Sequence, residues 1–212
     1  PSPSINGSEP ARKPSGPWTN TLRNFAPLEQ TGTVSAVQLH DKRFEPFISA
    51  PELDRAIDQV AGELRAKYAG RRPLFLGVLN GAYFFAAKLM ERMDIECEIS
   101  FVKVASYLGT SSTGTVTQLI GLTERLQDRH VVVVEDIVDT GGTVAHILEA
   151  LADHAPASVS VATMLFKPDA YTKDHPIEHV ALRVPNAFVV GSGLDHDGLG
   201  RNLPGIYRII DK

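Results

Sequence analysis

VVVVEDIVDTGGT, residues 131–143, is the stretch from which the rest of this chain is read. Val131 to Val134 are β-branched and suit a strand buried on both faces, yet two adjacent carboxylates, Glu135 and Asp136, follow at once and need a polar partner or a ligand. Asp139, Thr140, Gly141, Gly142 and Thr143 then lead into an apolar helix expected over roughly 143–154. Glycines let the backbone turn tightly with no side chain in a ligand's way, and amides and hydroxyls at a helix N-terminus suit an anion. No lysine precedes Thr143, so the GxxxxGK[ST] loop of ordinary ATP sites is not present at this turn. Carboxylates can accept hydrogen bonds from a ribose diol while the adjoining loop donates to a 5′-phosphate. The string therefore points to a phosphorylated ribose, against the plainer alternative of a capped turn with solvated acids.

Outward from this segment, apolar runs and amphipathic stretches alternate. VSAVQLH (34–40) reads as an edge strand, and PELDRAIDQVAGELRAKYAG (51–70) places Leu53, Ile57, Val60, Ala61 and Leu64 at helical spacing between Pro51 and Gly70. LFLGVL (74–79), CEISFVKVAS (97–106), VVVVED (131–136), VSVATMLF (159–166) and AFVVG (187–191) read as strands, with a further helix from Ala82 to Arg92. Near-continuous apolar strands separated by helices predict a parallel sheet covered on both faces, whose ligands bind beyond the carboxyl ends of the strands.

At 212 residues and 43% hydrophobic composition, the chain suits one ordinary domain, taken as residues 34–212. Residues 1–33, rich in Pro, Ser, Gly, Thr and Asn, read as a flexible N-terminal extension without the apolar core of a secretory signal. The 21 basic and 25 acidic residues give a net charge of −4 with no long basic run, which argues against nucleic acid as a partner and for small molecules. A single cysteine, Cys97, precludes an intrachain disulfide, and no apolar run reaches the roughly 20 residues that cross a bilayer. A cytoplasmic location with no membrane partner is the expectation. The seven histidines match no zinc-ligand spacing and read as surface or structural residues.

VVVVEDIVDTGGT resembles the phosphoribosyl-pyrophosphate motif of the type I phosphoribosyltransferases, and the chain from about 35 to 210 most resembles their hypoxanthine-guanine branch. The resemblance implies an α/β fold in which a parallel sheet flanked by helices carries a small hood, built from segments around 34–48 and 193–210. In GVLNGAYFFAAKLM (77–90), Asn80 and Gly81 match a pyrophosphate-binding loop, with Asn80 where many members have lysine. VASYLGTSSTGTVTQLIG (104–121) is similar to a mobile loop, Ser106 and Tyr107 matching its Ser-Tyr pair; closing it would exclude water from the activated sugar. Lys167 after TMLF would donate to the 6-oxo group of a purine, Phe188 would stack on the base, and the backbone of Val189 would meet its edge. In GLDHDGLGRNLPGIYRI (193–209), Asp195 matches an acid that holds a metal or lies near the base, and Arg201 an arginine that binds pyrophosphate.

By this resemblance the chain transfers the phosphoribosyl group of phosphoribosyl pyrophosphate to hypoxanthine or guanine, giving IMP or GMP and pyrophosphate, as a homodimer or homotetramer. Mg²⁺ is the implied cofactor, with Glu135, Asp136 and Asp195 as its protein ligands. Asp139 is the implied general base at purine N7, Glu135 and Asp136 hold the ribose hydroxyls, and Asp139 to Thr143 anchor the 5′-phosphate. Two alternatives stand beside this reading: a regulator of the same fold that senses the sugar phosphate or a nucleotide without catalysis, and an enzyme for xanthine, adenine or a pyrimidine.

Overall fold

The first strand of the central sheet, β3 (Leu74–Val78), is buried along its whole length, and Val131 to Val134 of β6 (His130–Val138) are fully inaccessible. The computed structural model describes residues 35–108 and 115–210, apart from the side chains of residues 105–118. The described residues belong to one compact unit, Ser35–Lys212, and the expected extension over 1–33 lies outside them.

Six strands order as β5-β4-β3-β6-β7-β8, with β4 (Glu98–Leu108), β7 (Ser158–Phe166) and β8 (His179–Arg183) parallel to β3 and β6, and β5 (Thr115–Ile120) antiparallel on the edge. Successive side chains of a strand point to opposite faces, and the valines of β6 divide accordingly. Val132 and Val134 join a core formed with α1 (Ala50–Tyr68) and α2 (Tyr83–Met90), whereas Val131 and Val133 pack with α3 (Gly142–Ala152). A strand buried on both sides needs no polar alternation, hence the run of valines.

α1 forms where its spacing predicts. Ser49 Oγ caps it by accepting from the Glu52 amide at 3.4 Å, Pro51 fits the first turn, and Leu53, Ile57, Val60, Ala61, Leu64 and Tyr68 make its buried face. Each large aliphatic side chain so buried contributes about 1.5–3 kcal/mol. At the far end of the helix Tyr68 keeps its hydroxyl satisfied on Ser160 Oγ, 2.7 Å away.

A second sheet, ordered β1-β2-β10-β9 and antiparallel throughout, joins β1 (Val37–Leu39) and β2 (Lys42–Ile48) to β9 (Val189–Val190) and β10 (Ile206–Ile209). This is the expected hood, with one correction. AFVVG, read with the strands of the parallel sheet, instead contributes Val189 and Val190 to the hood, where they pair with Arg208 and Tyr207. β2 escapes a sequence reading because Pro46 interrupts it; the proline is tolerated where the register slips between Ile206 and Tyr207. The loop expected over 104–121 is a strand hairpin along much of its length. Ser106 pairs with Thr117 and Tyr107 with Val116, while the side chains of that pair and residues 109–114 lie outside the described residues.

The sheet order reverses between β3 and β6, since β3 leads outward to β4 and β6 leads the other way to β7 and β8. Ligands of open α/β sheets bind at this kind of switch point, beyond the carboxyl ends of the strands. Asn80 and Gly81 follow β3 there, and on β6 Glu135 and Asp136 lie toward the end of the strand with Asp139 just beyond it.

Candidate active site at the switch point

The turn after β6 encloses a cavity of about 240 Å³ lined by residues 135–144. Gly141 adopts φ +85°, and α3 starts at the next residue with no side-chain cap, so the first amides of the helix are left for a ligand. Gly141 is required for space as well as for conformation: a Cβ on it would collide with the Tyr171 ring. The carbonyl of Thr140 on the same turn accepts from both the amide and the hydroxyl of Thr172, at 3.3 and 3.2 Å. A segment some thirty residues downstream thus braces the loop.

The two carboxylates at the strand end are strained electrostatically. Glu135 is buried and its Oε2 has no hydrogen-bond partner among the described residues. Burial, and then the charge of Asp136, push its carboxyl well above the usual carboxylate range. Burial raises Asp136 to about 6, against the opposing pull of the Ile137 amide and the Arg201 charge. Asp136 Oδ1 accepts from that amide at 2.8 Å. Its other oxygen lies against Gly81, where a Cβ would collide with the carboxylate, and a Cβ on Gly193 would in turn collide with the Gly81 carbonyl. Three chain segments that are distant in sequence meet here with only glycines between them. The Leu79–Asn80 peptide that introduces this contact is cis, and Asn80 itself is exposed.

In the C-terminal tail, Arg201 Nη2 meets Asp195 Oδ1 at 2.6 Å and Nη1 donates to the Gly193 carbonyl, while Asp195 Oδ2 accepts from the Gly198 amide at 2.7 Å. Asp195 also opposes the ionisation of Asp136, which places both carboxylates within one field. Among the described residues no three Asp, Glu, His or Cys side chains gather into a metal cage. The expected ligands Glu135, Asp136 and Asp195 therefore do not form a preassembled trio, because neighbours on a strand face opposite ways and Asp195 is engaged by Arg201. Hard carboxylate oxygens of this kind do fit Mg²⁺, which takes one or two protein ligands and fills its octahedron from phosphates and water.

At the neighbouring exit of β7, Lys167 is buried to 6% exposure and its Nζ donates to Asp139 Oδ2 at 2.7 Å. The ring of Phe188, directly before β9, is 47% exposed, with Phe44 and His196 packed on it at centroid separations of 6.0 and 5.7 Å. Its open area suits a planar partner. Val189 is buried in β9. His196, read as surface or structural, is mostly buried, stands edge-on to Phe188 and is held by Asp41 at 3.4 Å. Tyr171 and Thr172 carry no local signal in the sequence, and Gly193 and His196 lie in the tail motif without a role that the motif assigns; each acquires its place through contacts across the fold.

The sequence model of the family described as "Phosphoribosyl transferase domain" matches residues 48–197. The chain is 36% identical over 159 residues to the hypoxanthine-guanine phosphoribosyltransferase of Streptococcus pneumoniae, covering 74% of this chain and 88% of that one. With the enzyme of the same name from Streptococcus mutans it shares 39% identity over 147 residues, which is 69% of this chain and 82% of the relative. Among solved structures, a hypoxanthine phosphoribosyltransferase from Staphylococcus aureus superposes with a TM-score of 0.72 at 33% identity, covering 78% of this chain and 90% of that one.

Proposed function

Since this chain belongs to the phosphoribosyl transferase domain family, we propose that it transfers the 5-phosphoribosyl group of phosphoribosyl pyrophosphate to hypoxanthine or guanine, yielding IMP or GMP and pyrophosphate in purine salvage. The observation that carries the choice of acceptor is the Lys167–Asp139 pair, 2.7 Å apart at the edge of the phosphate-loop cavity. A 6-oxopurine presents O6 and N7 side by side. Lys167 donates to O6 and Asp139 accepts the proton of N7 as N9 bonds to C1′ and the bond from C1′ to pyrophosphate breaks. Adenine would turn an amino group toward the ammonium, donor against donor.

The remaining residues divide the charge that develops. Positive charge grows on the ribose, near Glu135 and Asp136, which also take its hydroxyls; the unpaired Oε2 of Glu135 supports that assignment. Residues 139–143 anchor the 5′-phosphate through amides and hydroxyls. Arg201 and the amides after Asn80 receive the pyrophosphate, and Arg201 must exchange Asp195 for it, at least in part. Phe188 stacks on the purine and the Val189 backbone meets its edge. Mg²⁺, held by Asp136 and Asp195 with Glu135 beside them, would neutralise the leaving pyrophosphate. Ser106 and Tyr107, at the far end of β4, belong in this proposal to a flap that shuts water out. A dimeric or tetrameric assembly and a cytoplasmic location complete the reading; among the described residues no helix is long and apolar enough to cross a membrane.

The test is direct: incubate the protein with Mg²⁺, phosphoribosyl pyrophosphate and each nucleobase in turn, and follow nucleotide and pyrophosphate. Turnover with hypoxanthine or guanine and none with adenine is expected. Turnover confined to adenine or a pyrimidine, or binding of the sugar phosphate without turnover on any base, would overturn the proposal.

A further inference from the structure

The loop proposed to hold the 5′-phosphate has no cation of its own. Its cavity is lined by Glu135, Asp136 and Asp139, and the adjacent ammonium of Lys167 is engaged by Asp139. Arg201 is engaged by Asp195. A phosphate monoester carries close to two negative charges at neutral pH, so amides and hydroxyls alone would leave that charge uncompensated beside three carboxylates.

The chain beyond β7 brings a cation to the opposite side of the same turn. Ala170 and Tyr171 both donate to the Lys167 carbonyl at 3.2 Å, which turns the backbone back toward the loop, and Thr172 then bonds twice to the Thr140 carbonyl. The next side chain is Lys173. Its Cγ lies 2.9 Å from where a Cβ of Gly141 would stand, so the aliphatic stem runs beside the turn on the side that a Gly141 side chain would occupy. Three bonds separate Cγ from Nζ, a reach of about 4 Å, while the head remains in water as long cationic side chains arrange themselves. Among the described residues, Lys173 makes no hydrogen bond, ion pair or ring contact.

We propose that Lys173, held against Gly141 by the Thr172–Thr140 hydrogen bonds, is the side-chain cation of the 5′-phosphate subsite and binds the phosphate shared by the sugar substrate and the nucleotide product. The inference rests on the phosphoribosyl reading and assigns a residue that lies thirty positions outside the phosphate-loop motif. It also accounts for Gly141 by the passage of the strap, since any side chain there would expel both Tyr171 and Lys173.

The experiment compares wild type with K173A, K173E and K173R, by steady-state kinetics and by calorimetric titration with ribose 5-phosphate in the absence of base. Loss of one partly exposed charge-assisted contact is expected to raise KM for phosphoribosyl pyrophosphate about tenfold in K173A and further in K173E. The change falls on that constant rather than on kcat or KM for the base, ribose 5-phosphate affinity drops in parallel, and K173R restores most of both. Lys173 is exposed, so thermal melts of the variants should overlay that of the wild type. Equal ribose 5-phosphate affinity in wild type and K173A, with unchanged KM for the sugar substrate, would overturn the assignment while leaving the reaction intact. Failure of wild type itself to bind ribose 5-phosphate or turn over any base would instead remove the phosphoribosyl reading.

Discussion

Replacing Asp136 with asparagine should make the ligand-free protein more stable at neutral pH and less active. In the unfolded chain this carboxyl ionises near 3.8, whereas in the fold it does so only near 6, chiefly through burial. Between those values the folded protein still holds the proton that the unfolded chain has released. Stability therefore falls as pH rises through that interval, and above about 6 the full penalty stands. At about 1.4 kcal/mol per pH unit the penalty reaches about 3 kcal/mol, an upper value because Asp136 keeps some exposed surface. Asparagine at this position cannot ionise, and its Oδ1 keeps the Ile137 amide that now donates at 2.8 Å. The substitution also relieves Glu135, whose own ionisation the Asp136 charge opposes. Urea unfolding of wild type and D136N, stepped from pH 7.5 down to pH 4, should show the variant ahead by up to about 3 kcal/mol at the upper end, shrinking to less than about 1 kcal/mol at the lower. The same variant should lose most of its turnover, the exchange of stability for function that a functional carboxylate implies. A stability difference independent of pH, or a D136N protein weaker than wild type at pH 7.5, would refute the account of this carboxylate.

Three further substitutions probe the site. Gly81→Ala must displace the Asp136 carboxylate or the chain itself, so it should cost about 1–3 kcal/mol in a thermal or urea melt and suppress turnover, while an alanine variant with wild-type stability and rate would contradict the contact. Asp139→Asn should lower kcat by about 10²–10⁴ while changing substrate KM values little, measured with the preferred base; equal activity would dismiss Asp139 as the base. Lys167→Ala should reduce the preference for 6-oxopurines over adenine at least tenfold in kcat/KM, and an unchanged ratio would show that discrimination lies elsewhere.

The parts of the molecule legible in the sequence are those specified by contiguous residues. Four valines and the apolar runs of β3 and β7 announce strands covered on both faces, and Glu135 to Thr143 announce the ligand turn because its chemistry lies within nine residues. β2 is hidden by Pro46, β8 by its brevity, and β5 by a composition of threonines that reads as loop until its pairing with β4 is seen. Whether a valine pair belongs to the main sheet or to the hood is set by its partner, here Tyr207 and Arg208, and no local pattern encodes that choice. The same limit applies in the site. Lys167 could be assigned to a base through the family resemblance, but its bond to Asp139, 28 residues earlier, could not. The stacking of Asp136, Gly81 and Gly193, and the strap from Tyr171 to Lys173, exist only once the sheet has ordered its strand exits.

The pairing of β2 with β10 has a consequence for the order in which the working molecule comes into being. Glu45 and Arg208, joined at 2.7 Å across that pair, stand 163 residues apart in the chain, and such distant contacts are entropically costly and late to form. The strands of the parallel sheet and the turn after β6 pair without residues 206–209. The antiparallel sheet beside Phe188, which the proposed reading sets over the purine, requires residues 206–209 to return to residues 44–48. A chain clipped before residue 206 would, on that reading, keep the grip proposed for the sugar phosphate and lose the cover proposed for the acceptor, leaving a binder of one substrate in place of a catalyst for two.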